Sequence, residues 1–221
     1  MFIPIGDDQE HERTPWANRA LLAANALAFV LFCLPRPSER VIWDFALNPS
    51  ELRPLQFLTH LFLHGDLLHV AGNLLFLWTF GRLVEERLGP AGHLALYLLG
   101  GLGSAGLHLL AEADPAPALG ASGAVAGMIG ACLVFCPRAH IKVFYWFFFV
   151  GVALVPVALW ALIWVATQVL FAAIDRGSTA YWGHLGGFAA GFGAAWILRE
   201  AAARRLKPRD PPLEKIGRAH V

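Results

Sequence analysis

Six apolar runs, residues 19–35, 66–86, 92–111, 122–136, 143–170 and 181–198, follow one another along this chain with polar or broken segments between them. A helical run of about 20 apolar residues matches the hydrocarbon thickness of a bilayer. One globular core cannot enclose six of them, because 57% of the 221 residues are hydrophobic and only 15% are charged. The chain therefore reads as an all-α membrane protein, a six-transmembrane-helix bundle whose backbone satisfies its own hydrogen bonds within each segment. The fourth run is short, and Pro156 within the fifth is expected to bend it.

Basic residues orient the segments. With the N-terminus inside, twelve of the 17 Lys and Arg residues fall on the inner side and four on the outer, with Arg218 set aside. Both termini are then cytoplasmic. Residues 1–18 form a polar cytoplasmic N-terminal segment whose "DDQEHER" is too acidic for a secretory signal. Residues 19–199 form the membrane domain and 200–215 a basic cytoplasmic tail, while 216–221 (IGRAHV) resembles the translation of a sequencing adapter and is treated as an artefact. "GRLVEERLGPAG" and "CPRAHIK" read as tight inner turns, with Pro or Gly at the break. The connection 34–65 is too apolar for a solvated linker and too interrupted for a span, which suggests a partly structured loop at the outer face.

Charge and cysteine content exclude several functions. The net charge is +1 and no basic patch is interleaved with exposed aromatics, so no nucleic-acid partner is expected. Cys33, Cys132 and Cys136 lack the paired spacing of a zinc site and read as small core residues.

Polar side chains inside hydrocarbon need a reason. Ser122 in "GASGAVAG" stands fifteen residues before Pro137, and His184 stands fifteen before Arg199. At about 1.5 Å per residue both lie roughly 20 to 24 Å above the inner boundary. His69 reaches a similar height on the second segment, with Asn73 one turn deeper on the same face. A hydroxyl, two imidazoles and an amide thus share one layer. Gly183, Gly187 and Gly191 on the sixth segment, and Gly123, Gly127 and Ala131 on the fourth, form small-residue stripes that let helix backbones approach. Close approach would bring the Ser122 hydroxyl within reach of His184, as an activated serine nucleophile requires. Backbone N–H groups at the start of the fourth segment, with Gly120 admitting a carbonyl, and His69 and Asn73 could then stabilise an oxyanion.

Other readings were weighed. Serine is also a common packing residue between membrane helices. His60 and His64 are four apart, but "HLFLH" lacks the glutamate of an H-E-x-x-H metalloprotease, and no histidine pair is placed to sandwich a haem. No metal site and no cofactor are expected.

These motifs resemble the rhomboid family of intramembrane serine proteases over about residues 41–195. "HLFLHGDLLHVAGNLLFLW" is similar to the family's histidine and asparagine motif, "GRLVEERLG" to its inner turn, "GASGAVAG" to its G-x-S-G motif and "GHLGGFAAG" to its last histidine motif. The resemblance implies a rhomboid-like bundle with a water-filled cavity open to the outside. It also implies Ser122 as nucleophile, His184 as base and then acid, and His69 and Asn73 as oxyanion-hole side chains. His64 becomes a structural, water-holding group, with Gly120 and Gly123 in support. Two positions depart from the family: Ala126 stands where many members have an aromatic that stacks on the histidine, and Gly183 where many have Ala.

The expected function is hydrolysis of transmembrane protein substrates within or near their membrane-spanning segment, in the lipid bilayer of a bacterial cell (inner) membrane. Substrate is expected to enter laterally past the fifth segment. The rival is a non-catalytic rhomboid-like protein that binds or escorts transmembrane clients. No Asp or Glu lies in the last three segments near the depth of His184, Asp66 reads as a helix N-cap, and Glu112 and Asp175 fall in outer loops. A dyad is therefore expected, its histidine held by packing and backbone.

Overall fold

The computed structural model describes residues 2–111, 116–146, 149–174 and 180–205. Residues 206–221, Glu112, Asp114 and Asp175, to which the sequence assigned tail or loop positions, lie outside the described residues. Strand β1 (Phe2–Asp7) precedes α1 (Trp16–Ala28), which continues through a π turn at Phe29–Cys33. The long connection then forms α2 (Glu39–Phe45) and α3 (Gln56–Thr59), followed by a 3₁₀ turn at His60–Phe62. Helix α4 (Leu67–Phe76) runs through a second π turn, Leu77–Gly81, into α5 (Arg82–Ala111). After α6 (Ser122–Phe135) come β2 (His140–Trp146), β3 (Val150–Pro156), α7 (Val157–Ile174) and α8 (Tyr181–Arg205).

The protein is mostly helical. Among the described residues three helices are long and apolar enough to cross a membrane: Trp16–Cys33, Leu67–Ala111 and Val157–Ile174. At 45 residues, Leu67–Ala111 could cross about 30 Å of hydrocarbon twice. Gly89 interrupts it at φ 73°, a left-handed conformation that glycine adopts without steric cost, and Pro90 then restarts the helix. The turn expected at "GRLVEERLGPAG" is this break. Its Glu85 is buried, and the carboxylate accepts the Ala17 and Asn18 N–H groups at 3.0 and 2.7 Å, satisfying donors at the start of α1.

Two expectations are corrected here. The fold is not all-α: β1, β2 and β3 form an antiparallel sheet in that order. The fifth segment is not one helix over 143–170, because 140–146 and 150–156 pair as a hairpin and α7 starts only at Val157. Its apolar stretch is rich in the β-branched and aromatic residues that favour strands, and Ile141 and Val143 alternate inward to the core. Pro156 ends a strand and bends no helix. The sheet carries exposed apolar side chains, Phe2, Val150, Val152 and Leu154 among them. The N-terminal segment supplies its third strand: Phe2–Asp7 pairs with β2, and buried Asp7 is ion-paired with Arg82 and His11.

The centre of the molecule is the packing of α5, α6 and α8. A Cβ on Gly187 would overlap the Gly123 carbonyl oxygen, and one on Gly191 would overlap the Gly127 backbone. Helix α5, absent from the expected stripe, contributes as well. A Cβ on Gly100 would stand 3.2 Å from Ala124 Cα, one on Gly103 would press on the Gly186 carbonyl, and the Ser104 side chain fills the space left by Gly123 and Gly183. Around these contacts Phe80, Tyr97, Met128, Ile129 and Cys132 are fully buried, while many Leu, Ile and Val side chains of α1, α5 and α7 face outward. All three cysteines are buried and free, as small core residues should be.

A single methyl group should therefore separate the contact from ordinary helix surface. Gly187→Ala is expected to destabilise the protein by about 1 to 3 kcal/mol through overpacking. Gly193→Ala, where a Cβ meets nothing within 4 Å, should be neutral or stabilising by up to about 1 kcal/mol. Thermal unfolding in detergent micelles of the two variants checks this, and equal melting temperatures would contradict it.

Candidate active site

Ser122 is the first residue of α6, and three tethers fix the chain just before it. Leu47 and Ala118 exchange both backbone hydrogen bonds at 2.9 Å, the Gly120 N–H donates to the His60 carbonyl at 2.8 Å, and the Ala121 N–H lies 3.5 Å from His64 Nε2. The partly structured outer connection thus holds the serine's approach. His60 is buried, with Nδ1 2.6 Å from the Gln56 carbonyl, so it is committed to the loop. No group of three or more potential metal ligands occurs among the described residues.

Backbone N–H groups were expected at the start of the fourth segment, and just before it those of Gly120 and Ala121 are engaged. The donors left are those of the first turn of α6 itself, beginning with Ser122, which have no intrahelical acceptor. Gly120 adopts φ +122°, and a Cβ there would stand 2.8 Å from His69 Nε2 and 3.7 Å from Asn73 Nδ2. Only glycine leaves this corner open.

His69 is oriented from its other nitrogen. The Gly65 N–H lies 3.3 Å from Nδ1, and since a backbone N–H only donates, Nδ1 accepts and the ring proton sits on Nε2, facing Gly120. Asn73 is buried, and its Nδ2 has no hydrogen-bond partner among the described residues. Two donors on α4 therefore face the same corner. His64 is buried with its ring edge-on to His69, centroids 5.1 Å apart, and its Nδ1 has no hydrogen-bond partner among the described residues.

Across α6, His184 Nε2 lies 2.9 Å from Ser122 Oγ. His184 Nδ1 lies 2.8 Å from Gln168 Oε1, on α7. An amide oxygen accepts only, so Nδ1 carries the proton and Nε2 is free to accept from the serine hydroxyl. The ring rests beside Trp164, at 6.0 Å between centroids, and Tyr181 meets it edge-on at 6.4 Å. The histidine expected to be held by packing and backbone is thus held by packing and by a side-chain amide. Trp164, four residues before Gln168, supplies an aromatic neighbour to the ring from α7, whereas Ala126 on α6 has no ring to offer. A polar residue inside the fifth apolar run was the available signal for Gln168, but only the second, fourth and sixth runs were aligned by depth. Gly123, Gly127, Gly183, Gly187 and Gly191 all lie in the α5, α6 and α8 contact that sets the Ser122 to His184 distance.

Residues 51–201 match the family model of the rhomboid domain. The chain belongs to the rhomboid family. It is 31% identical over 208 residues to rhomboid protein 1, mitochondrial, of Saccharomyces cerevisiae, covering 90% of this chain and 57% of that protein. It is 30% identical over 129 residues to the human presenilin-associated rhomboid-like protein, mitochondrial, covering 57% of this chain and 34% of that one. Over 73 residues it is 42% identical to rhomboid-like protein 11, chloroplastic, of Arabidopsis thaliana, covering 33% of this chain and 26% of that one. This rhomboid chain therefore spans little more than half the length of the yeast relative and about a third of the human one. The bacterial cell membrane expected from the sequence is overturned by this comparison, since the relatives are named as mitochondrial and chloroplastic proteins.

In this rhomboid, as expected, Asp66 is the N-cap of α4, its carboxylate accepting the His69 N–H at 2.8 Å. That bond holds the carboxyl below its ordinary pKa of 3.8. Its capping contribution is accordingly present at neutral pH and lost as pH falls through the lowered value. Amide exchange over residues 67–70 should quicken in Asp66→Ala, stay near wild type in Asp66→Asn, and quicken in the wild type only below about pH 3.8. Unchanged protection in Asp66→Ala would remove the cap from the account of how His69 is placed.

Proposed function

We propose that this rhomboid is an intramembrane serine endopeptidase that cleaves transmembrane protein substrates within or near their membrane-spanning segment, with a Ser122/His184 dyad. The observation that carries the reading is the 2.9 Å contact between Ser122 Oγ and His184 Nε2, with the Nε2 lone pair free to accept. Ser122 passes its proton to His184 as its oxygen bonds to the scissile carbonyl carbon, forming a tetrahedral intermediate. The Ser122 N–H, His69 Nε2–H and Asn73 Nδ2–H face the corner at Gly120 and receive the developing oxyanion. The imidazolium then gives its proton to the leaving amine, and a water molecule activated by the same histidine hydrolyses the acyl-enzyme.

The setting proposed with this chemistry is a six-span bundle in a lipid bilayer with both termini on its positively charged side. The inner-side excess of basic residues supports it. A mitochondrial membrane is the location that the relatives' names favour. A helical substrate offers no free carbonyl, so good substrates should carry Gly, Pro or small residues that unwind easily near the cleaved bond.

Two variants test the reading on a reporter transmembrane substrate. Ser122→Ala should fold and insert normally, yet neither cleave the substrate nor take a serine-reactive fluorophosphonate label. Cleavage at the wild-type rate by that variant would end the assignment and leave the client-binding alternative. Asn73→Ala should lower kcat by about 10² to 10³ with little change in KM, as loss of one oxyanion donor does. A rise in KM alone would move Asn73 from the oxyanion site to substrate binding.

A further inference from the structure

Helix α7 is loosely held. Of its eighteen residues only Val157, Ala161 and Gln168 are buried, while Leu159, Leu162, Ile163, Val169, Leu170 and Ile174 are exposed by half or more. Gln168 is its one buried polar residue among those described. A buried amide on a membrane helix is costly unless it meets a partner, and the group that Gln168 Oε1 meets is Nδ1 of His184. Trp164 and Gln168, one turn apart on the same face, form a wall and a peg for that imidazole. Trp164 also stacks on Phe188, one turn beyond His184 on α8, which fixes the wall itself.

We propose that Gln168 is the positioning residue of the site: its amide oxygen, delivered by α7, fixes the tautomer and ring orientation of His184, so that the reactive constellation is Ser122, His184 and Gln168 drawn from three helices. This rests on the proposed dyad. A free neutral imidazole can carry its proton on either nitrogen, and the Nε2–H form cannot take a proton from serine. A neutral acceptor at Nδ1 selects the other form and holds the ring at the angle that puts Nε2 on Ser122 Oγ. It does so without burying a carboxylate in the bundle, which would be far more costly. The same hydrogen bond makes the base dependent on the docking of α7, a helix with only three buried residues of eighteen.

The test uses the full chain in detergent or reconstituted membranes, with the reporter substrate and the fluorophosphonate label. Gln168→Leu removes the acceptor at similar size, Gln168→Glu keeps an acceptor at the same reach, and Ser122→Ala and His184→Ala run in parallel. Gln168→Leu should lower kcat and the labelling rate together by about 10-fold or more, a share of what general-base catalysis supplies, with KM and melting temperature unchanged. Gln168→Glu should restore most of the lost rate. Wild-type kcat in Gln168→Leu overturns the proposal, as does equal loss in the Leu and Glu variants accompanied by lower melting temperatures, which would make position 168 a packing site only. A change in KM alone overturns it too, in favour of a substrate contact. If instead Ser122→Ala or His184→Ala retained cleavage, the dyad reading itself would fall, a result distinct from failure of the Gln168 role.

Discussion

Everything at the site depends on the backbone contact among α5, α6 and α8. In a bilayer, lipid tails are as apolar as leucine, so helices gain little from hiding apolar surface against one another and association rests on close packing. Gly187 and Gly191 lie against the carbonyls of Gly123 and Gly127, one turn after another, and Gly100 and Gly103 bring α5 into the same contact. This geometry carries Ser122, at the top of α6, to 2.9 Å from His184 near the start of α8. Side chains at the crossing would widen it by ångströms, and a proton transfer between hydroxyl and imidazole has no such tolerance.

A second constraint acts from outside the bundle. Residues 116–121, just before Ser122, carry no helix of their own, and their backbone is tied to the outer connection through Leu47 and Ala118, His60 and Gly120. Those ties leave Gly120 at φ +122°, facing His69 and Asn73. The outer connection is thus part of the site's frame, and the histidines around the site divide into distinct tasks. His60 supports the loop, His64 lies between Ala121 and His69, His69 turns Nε2–H to the corner, and His184 reaches Ser122.

The third element is the hairpin of β2 and β3, extended by β1 from the other end of the chain. It joins the N-terminal segment, α5 through Arg82 and Asp7, and the start of α7 into one unit. Helix α7 leaves this sheet at Val157 and returns to the bundle with few buried residues, Val157, Ala161 and the Gln168 that meets His184. The helix that completes the histidine's surroundings is anchored at one end by a sheet and along its length by a few side chains.

Local rules were enough for much of this. A fixed rise of 1.5 Å per residue set Ser122, His184 and His69 at one height, a four-residue spacing put the glycines on one face, and an aspartate one residue before an apolar helix marked its cap. Family motifs in the same stretches identified the chain as a rhomboid. These features are periodic and contained within single segments, so the sequence determined them by itself. Tertiary structure decided what depends on distant partners. His140–Trp146 and Val150–Pro156 lie in a stretch as apolar as a span, and only pairing with each other and with Phe2–Asp7 makes them strands. Gln168 is one amide in an apolar run until α7 docks with a rotation that points it at His184. Gly120 takes its left-handed turn where Leu47 and His60, 71 and 60 residues earlier, hold the chain at Ala118 and at Gly120 itself. Helix rise and face are fixed along one segment, whereas the pairing of strands and the rotation of one helix against another are fixed only where separate segments meet.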